Sequence, residues 1–466
     1  MSFKKIHSFD TKHEGIGKVS KEIEMTREFL KHYKNLRYCV EEKAFYNYDQ
    51  GLYSPVSDEW VLKQMVTTAH NKDMDADSEI QKFKSTSLNF RKTVLQNIKI
   101  RMNINRDDFN QDNLINFKNC YYSLDNRARQ EHDGAILSSV QLDYDFDPEA
   151  LCPLWMKTIT DILQNNQQKI DLLQEFFGYC LTKETKYNKA MWLVGNGGNG
   201  KGVVSEALKA MLGAFNVSAV ELQKFTDTTQ IVAIVDKYAN IVTEIPTRGL
   251  GNYEDQFKKI IGGEDVTFNP KYCAPYTEGL FAKHFISCNR LPTIKDRSDA
   301  FFDRMLIIEF NKKFRGTADQ DINLPHKLKA ERAGIFRWAL EGLSRLQKNG
   351  VFTVSEEMTE QLKQLEMSSN PLKEFCEEVI VVDINKNSFV TRKELYESYS
   401  QWMEENGMGG QKMYVNNFTT EIRQIYKMAL PMKDVRKAYL GKLEKVWQNL
   451  TVKKNNLYAP VENVEF

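Results

Sequence analysis

Met191-Trp192-Leu193-Val194-Gly195-Asn196-Gly197-Gly198-Asn199-Gly200-Lys201 is the stretch on which the fold turns. It opens as a short apolar run, as a buried strand does, and continues as G-x-x-x-x-G-K. A helical segment running to about Gly213 follows, which completes the strand, loop and helix that a phosphate-binding loop requires. Glycines let the backbone turn its N–H groups inward, the helix start adds the positive end of its dipole, and a lysine reaches the outer phosphates. Gly195, Asn196, Gly197, Gly198, Asn199, Gly200, Lys201 and Gly202 are therefore expected to bind a nucleoside triphosphate. One position departs from the pattern: Gly202 stands where a Ser or Thr hydroxyl normally meets Mg2+, so water or another side chain must take that place.

Working outward, residues from about 189 to 310 alternate short apolar runs with helical segments, the pattern of a parallel sheet with covering helices. Ile241-Val242-Thr243, His284-Phe285-Ile286-Ser287 and Met305-Leu306-Ile307-Ile308 are the further strand candidates. Glu244 follows the first of them, placed to polarise an attacking water and to help hold Mg2+; by itself it reads more readily as a solvated glutamate, and its spacing of about forty residues from Lys201 shifts that balance. Asn289 ends the second, where an amide could sense the γ-phosphate or simply make a turn. Arg304 precedes the third, where a guanidinium could reach a neighbouring subunit's nucleotide or pair with Asp303 or Asp299.

Upstream, Lys169 to Gly178 carries apolar residues at helical spacing, with Gly178 near the expected end. The clusters Tyr46 to Gly51 and Asn103 to Asp108 read as turns in an α-rich, mixed region. Downstream, Ala333 to Leu346 is an amphipathic helix with Gly350 just beyond. Asn370-Pro371 opens a last unit in which Thr391 and Glu394 form a capping box, the helix stops near Gly407, and a second starts near Asn416.

The 466 residues are 41% hydrophobic and 27% charged, which is globular, and no apolar run approaches the ~20 residues of a membrane helix. The first residues lack the apolar stretch of a secretory signal, so the expected compartment is a cytoplasm, most readily that of a bacterial host. Seven scattered cysteines without C-x-x-C indicate neither a disulfide framework nor zinc. Lys+Arg at 64 against Asp+Glu at 63 excludes a uniformly basic nucleic-acid coat. Thr420 to Lys454, however, holds nine Lys/Arg against Glu421, Asp434 and Glu444, a local net of 9 − 3 = +6.

With Lys201, Glu244, Asn289 and Arg304 in this order, the chain resembles the superfamily 3 helicases of phages, plasmids and poxvirus-type primase–helicases. Leu114-Ile115-Asn116-Phe117, Asp143-Tyr144-Asp145-Phe146-Asp147-Pro148 and Phe176-Phe177-Gly178-Tyr179 are similar to the family's pre-helicase segment. Phe257 to Glu264 is similar to the block before its β-hairpin, Gly334 to Leu343 to its post-core helix, and Asn370 to Gly407 to its winged-helix appendage.

The resemblance implies an α/β fold: an AAA+ type P-loop core with a parallel sheet (186–350), a mainly α-helical N-terminal domain (1–185) and a C-terminal winged-helix domain (370–466). It implies a ring, commonly a hexamer, that hydrolyses ATP with Mg2+ and moves 3′ to 5′ on single-stranded and forked DNA. Lys201 would bind the β/γ-phosphates, Glu244 would be the catalytic carboxylate and metal ligand, Asn289 the first sensor, and Arg304 the finger from the next subunit. Lys258 falls on the family's lysine before the hairpin and would face the neighbouring site. Between Val266 and Phe281 the family places a hairpin that grips DNA, which makes Lys271 and Tyr272 DNA-contacting candidates, although Pro270 and Pro275 equally shape a surface loop.

Arg436 and Lys437 are the corresponding candidates in the winged helix. Thr243 stands where many ATPases place an aspartate, and Asn269 where related sequences often carry a basic residue. Only about ninety residues precede the recognisable segment, so no primase activity is expected and a separate primase or polymerase would be the partner. A replicative helicase is the leading expectation. The alternative is an ATP-regulated initiator or loader, which Gly202 and the basic C-terminal stretch motivate.

Overall fold

The computed structural model describes residues 20–70, 88–243, 253–271, 275–292, 294, 299–382, 389–426, 434–439, 442–448 and 450–453. The chain forms two compact units: Met1–Ile245 with Asp255–Arg290 and Ile308–Thr353, and Pro246–Glu254 with Leu291–Ile307 and Val354–Phe466.

In the first unit, helices Lys21–His32, Asp58–His70 and Leu88–Arg101 accompany a four-stranded sheet ordered Leu52–Val56, Ala44–Asp49, Arg37–Cys39, Asn103–Ile104. Phe29, Phe45, Val61, Val94 and Ile98 form its apolar core. A three-stranded sheet of Leu114–Asn116, Tyr121–Ser123 and Arg129–Gln130 follows. The N-terminal region is thus mixed rather than mainly helical. The cluster at Tyr46 is largely strand, because Phe45, Tyr46 and Tyr48 are strong strand formers. The turn itself occupies only Gln50 and Gly51, both at positive φ (43° and 86°), between the paired Asp49 and Leu52.

Helix Gln167–Tyr179 packs on helix Arg332–Asn349 through glycines. A Cβ on Gly342 would lie 2.2 Å from the Gln174 carbonyl oxygen, and one on Gly178 would lie 2.4 Å from that of Ala339. Gly178 stands, as expected, near the end of its helix, which closes at Tyr179, and it also allows the close helix-to-helix approach. Gly350 does cap the second helix, at φ 74°.

The central sheet runs Met305–Glu309, Ala190–Val194, Lys283–Cys288, Ala239–Thr243, Val217–Ser218. The last four strands pair in parallel, each expected strand is present, and the three central strands are almost wholly buried, as apolar strands covered on both faces must be. Antiparallel strands Asp265–Phe268 and Tyr276–Gly279 form the expected hairpin, with Phe268 opposite Tyr276.

The second unit has its own core of Leu372, Phe375, Leu395, Tyr399, Trp402 and Phe418. Helix Arg392–Glu405 starts at the Thr391–Glu394 capping box, and helix Val415–Tyr426 follows. Strands Phe389–Thr391, Lys442–Gln448 and Asp434–Tyr439 form an antiparallel sheet. Cys39, Cys120, Cys152, Cys180, Cys288 and Cys376 are free and buried. Among the described residues no helix is long and apolar enough to cross a membrane.

Candidate nucleotide site

Three parallel strands end together at the glycine loop. Thr243 pairs with Ser287, and Cys288 pairs with Val194, immediately before Gly195. Ligands of open parallel sheets bind beyond the carboxyl ends of the strands, and the loop lies at that edge. Gly197, Gly198 and Gly200 have φ of 84°, 67° and 93°, conformations that side-chain-bearing residues rarely adopt.

Neighbours fix the loop from two sides. The Phe314 and Arg315 N–H groups both donate to the Gly198 carbonyl, at 2.8 and 3.1 Å. Asn199 donates from Nδ2 to the Phe310 carbonyl at 2.8 Å. A Cβ on Gly200 would lie 2.7 Å from Cδ1 of Ile162, so helix Pro153–Ile162 closes over the loop.

Lys201 is the first residue of helix Lys201–Leu212 and is buried. Its Nζ donates to the Gly195 carbonyl and to Asn199 Oδ1, both neutral acceptors. Burial pushes the ammonium below its ordinary value. No carboxylate pairs with it among the described residues, so its charge is available to an anion. Ser205, one turn on, donates to the Lys201 carbonyl at 3.1 Å and meets Ser287 Oγ at 3.4 Å, which binds the helix to the neighbouring strand. Burial pushes the adjacent Cys288 thiol up to about 12, which leaves it neutral and unreactive. Glycines at positive φ, an uncompensated lysine and a helix start fit a polyphosphate.

The magnesium set is not assembled by these residues. A Cβ on Gly202 would meet nothing within 4 Å, so the position is open but supplies no ligand. Among the described residues no group of His, Cys, Asp and Glu is placed to hold a metal ion.

Other expected site residues are distributed as follows. Glu244 and Tyr272 lie outside the described residues, and Arg436 and Lys437 are described only as backbone on strand Asp434–Tyr439. Asn289 directly follows strand Lys283–Cys288 and is exposed. Lys258, in helix Glu254–Ile261, forms an ion pair with Asp255 at 2.9 Å. Lys271 is exposed beyond strand Asp265–Phe268, and the Asn269 N–H donates to the Thr228 carbonyl at 3.2 Å. Arg304 belongs to the second unit, where its Nη1 donates to the Ala300 carbonyl.

Sequence reasoning missed a cavity of about 370 Å3 beside the loop, whose wall includes Lys157, Thr158, Ile162, Gly198, Phe314 and Arg315. Arg315 stands against the loop, its Cβ 2.5 Å from where one on Gly198 would be. Lys312 pairs with Asp161 at the rim and lies 4.9 Å from the Phe314 ring centre. No motif marks these residues, because the cavity joins helix Pro153–Ile162 to a loop some 150 residues later.

Residues 26–164 match the family described as D5 N terminal like, and residues 367–465 match Poxvirus D5 protein-like. Between them, residues 193–304 match a family of unknown function (DUF5906). A protein of Acanthamoeba polyphaga mimivirus named "Putative helicase L207/L206" is 22% identical over 275 residues, 53% of this chain and 28% of that protein. The chain thus spans little more than a quarter of that relative. Among solved structures, the A form apo C-terminal region of NrS-1 aligns over 92% of this chain and 99% of its own, with a TM-score of 0.56 at 12% identity. A second apo structure of that region aligns with a TM-score of 0.53 at 10% identity. At such identities the likeness is one of fold. Two separate segments of the chain are thus similar to D5-type proteins, and about half of it is similar to a protein named as a putative helicase.

Proposed function

We propose that this chain is an ATP-dependent replicative DNA helicase, a superfamily 3 motor with an AAA+ type core and a C-terminal winged helix. The observation that carries the reading is Lys201, buried without a carboxylate partner among the described residues, in a glycine loop where three parallel strands end. D5-type segments on both sides of that loop set it in a helicase context.

In this reading the glycine loop and Lys201 hold the β/γ-phosphates of ATP and neutralise charge as the terminal phosphoryl group leaves. Glu244 accepts a proton from the attacking water, and Asn289 orients that water. The base and ribose enter the cavity between helix Pro153–Ile162 and Phe314–Arg315, whose volume is ample for a nucleoside. Magnesium, when bound, supplies charge neutralisation between the phosphates, and Glu244 is its candidate protein ligand.

The subunits form a ring, commonly a hexamer, with Arg304 and Lys258 serving the neighbouring site. Lys271 and Tyr272 on the hairpin, with Arg436 and Lys437, contact DNA as the ring moves 3′ to 5′. The domain limits remain 1–185, 186–350 and 370–466, and a separate primase or polymerase is the working partner. Strand displacement on a forked duplex tests the reading: release of the strand should require ATP and Lys201. ATP hydrolysis without any displacement would favour the second reading, an initiator or loader, for which the missing hydroxyl at Gly202 is the specific observation.

A further inference from the structure

Helix Pro153–Ile162, which closes over the glycine loop, begins without a cap of its own. Helix starts ordinarily carry Ser, Thr, Asp or Asn at the N-cap. Here the N-cap residue is Cys152, whose side chain bonds none of the first N–H groups. Two of those groups go instead to one carboxylate 177 residues further along the chain. The Leu154 N–H donates to Glu331 Oε1 at 3.0 Å, and the Trp155 N–H donates to Glu331 Oε2 at 2.8 Å. A carboxylate suits a helix start because it meets both the free donors and the positive end of the dipole.

Glu331 is the single residue between helices Leu324–Ala330 and Arg332–Asn349. Its N–H donates to the Leu328 carbonyl at 3.0 Å and its carbonyl accepts from the Ile335 N–H at 2.9 Å, so its backbone belongs to both. The second helix grips the same segment further: Arg337 Nη1 donates to the Ala150 carbonyl at 2.8 Å, and Trp338 meets Trp155 edge to face at 5.3 Å. A Cβ on Gly334 would lie 2.3 Å from the Leu151 carbonyl oxygen, so the approach is close. A local cap fixes only its own helix. This carboxylate fixes the start of one helix against the junction of two others.

The consequence falls on the cavity of about 370 Å3, where Leu154, Lys157 and Thr158 form one wall and Leu324, the first residue of helix Leu324–Ala330, belongs to another. The far end of helix Pro153–Ile162 is held separately, by the Asp161–Lys312 pair and by Ile162 against Gly200. We infer that Glu331 is a positioning residue for the nucleoside half of the nucleotide. It sets the spacing of the two walls between which base and ribose enter, while the phosphates are left to the glycine loop and Lys201. Walls already in place bind without the cost of ordering themselves. The inference rests on the nucleoside triphosphate reading of the loop, and it adds to that site a residue outside both the loop and the cavity.

Calorimetric titration of the full-length protein with ATP and with tripolyphosphate, which has neither base nor ribose, separates the two halves at one magnesium concentration. The wild type should bind ATP more tightly than tripolyphosphate. E331Q keeps the shape of the side chain but turns an amide N–H toward one of the two helix donors. It should weaken ATP binding about tenfold, the scale of one hydrogen bond to a charged group, and leave tripolyphosphate affinity within about twofold. E331A loses both contacts and should weaken ATP binding further with the same indifference to tripolyphosphate; should its melting show that it does not fold, E331Q decides. Equal loss for both ligands, which is what a merely structural role gives, overturns the inference, and so does unchanged ATP affinity. A wild type that binds the two ligands equally overturns it while leaving the phosphate loop standing. A wild type that binds neither overturns the loop reading and this inference with it.

Discussion

Asn199 donates from Nδ2 to the Phe310 carbonyl at 2.8 Å, joining the glycine loop to the chain just beyond the strand Met305–Glu309. The same side chain accepts from Lys201 through Oδ1, so one amide sets both the loop's position and its lysine's resting place. A bound polyphosphate competes with neutral acceptors for that ammonium, and charge-assisted contacts are the stronger ones.

Lys201→Ala is therefore expected to lower ATP turnover by about 10²–10³, the scale on which one preorganised charge-stabilising donor acts. Steady-state phosphate release on the purified variant checks this. Turnover close to wild type would place the catalytic loop elsewhere.

Arg315→Ala is expected to weaken ATP binding about tenfold and leave the fold intact, since the side chain is exposed and stands beside Gly198. A nucleotide titration by calorimetry reads the affinity, and an unchanged melting temperature separates lost contact from lost structure.

Gly202→Ser should be tolerated, because its Cβ enters open space, and replacing a helical glycine should stabilise by several tenths of a kcal/mol. The added hydroxyl occupies the usual metal-ligand position. Half-maximal ATPase should then be reached at a lower magnesium concentration, measured by a magnesium titration of both proteins.

Gly342→Ala should destabilise the first unit by about 1–3 kcal/mol, the range of overpacking in a tight interior, because the new methyl would press on the Gln174 carbonyl. Thermal or urea unfolding measures it. A melting temperature equal to wild type would contradict the close crossing of the two helices.

Glu278, on the hairpin strand Tyr276–Gly279, has its carboxyl pushed up to about 7 by burial, with Arg106 opposing and Asp236 adding to the rise. A raised carboxyl pKa means that the fold favours the protonated form. Stability from this group is complete below about 4.5 and is lost as pH rises through about 7. Glu278→Gln should flatten that fall, read as melting temperature against pH between 4.5 and 8 for both proteins.

The loop and its sheet were legible because they are local signals: an apolar run, glycines at fixed offsets, then helical periodicity. The capping box at Thr391 and Glu394 was legible for the same reason. The cavity wall at Lys157 and Phe314 was not, since its residues meet only after distant segments fold together. Gly178 was correctly placed near its helix's end, but its second role, close packing against the Ala339 carbonyl, was not legible because the facing helix lies some 160 residues away in sequence. The N-terminal strands were hidden among Asn, Asp and Gly residues that also mark turns.

The central claim is that the Lys201 loop drives work on DNA, and ATP hydrolysis measured with and without single-stranded DNA, alongside the mass of the assembly in solution, tests it most directly. The account predicts a ring-sized assembly whose hydrolysis rises with DNA and collapses in Lys201→Ala. A monomer, or a ring whose turnover is negligible and indifferent to DNA, would contradict it.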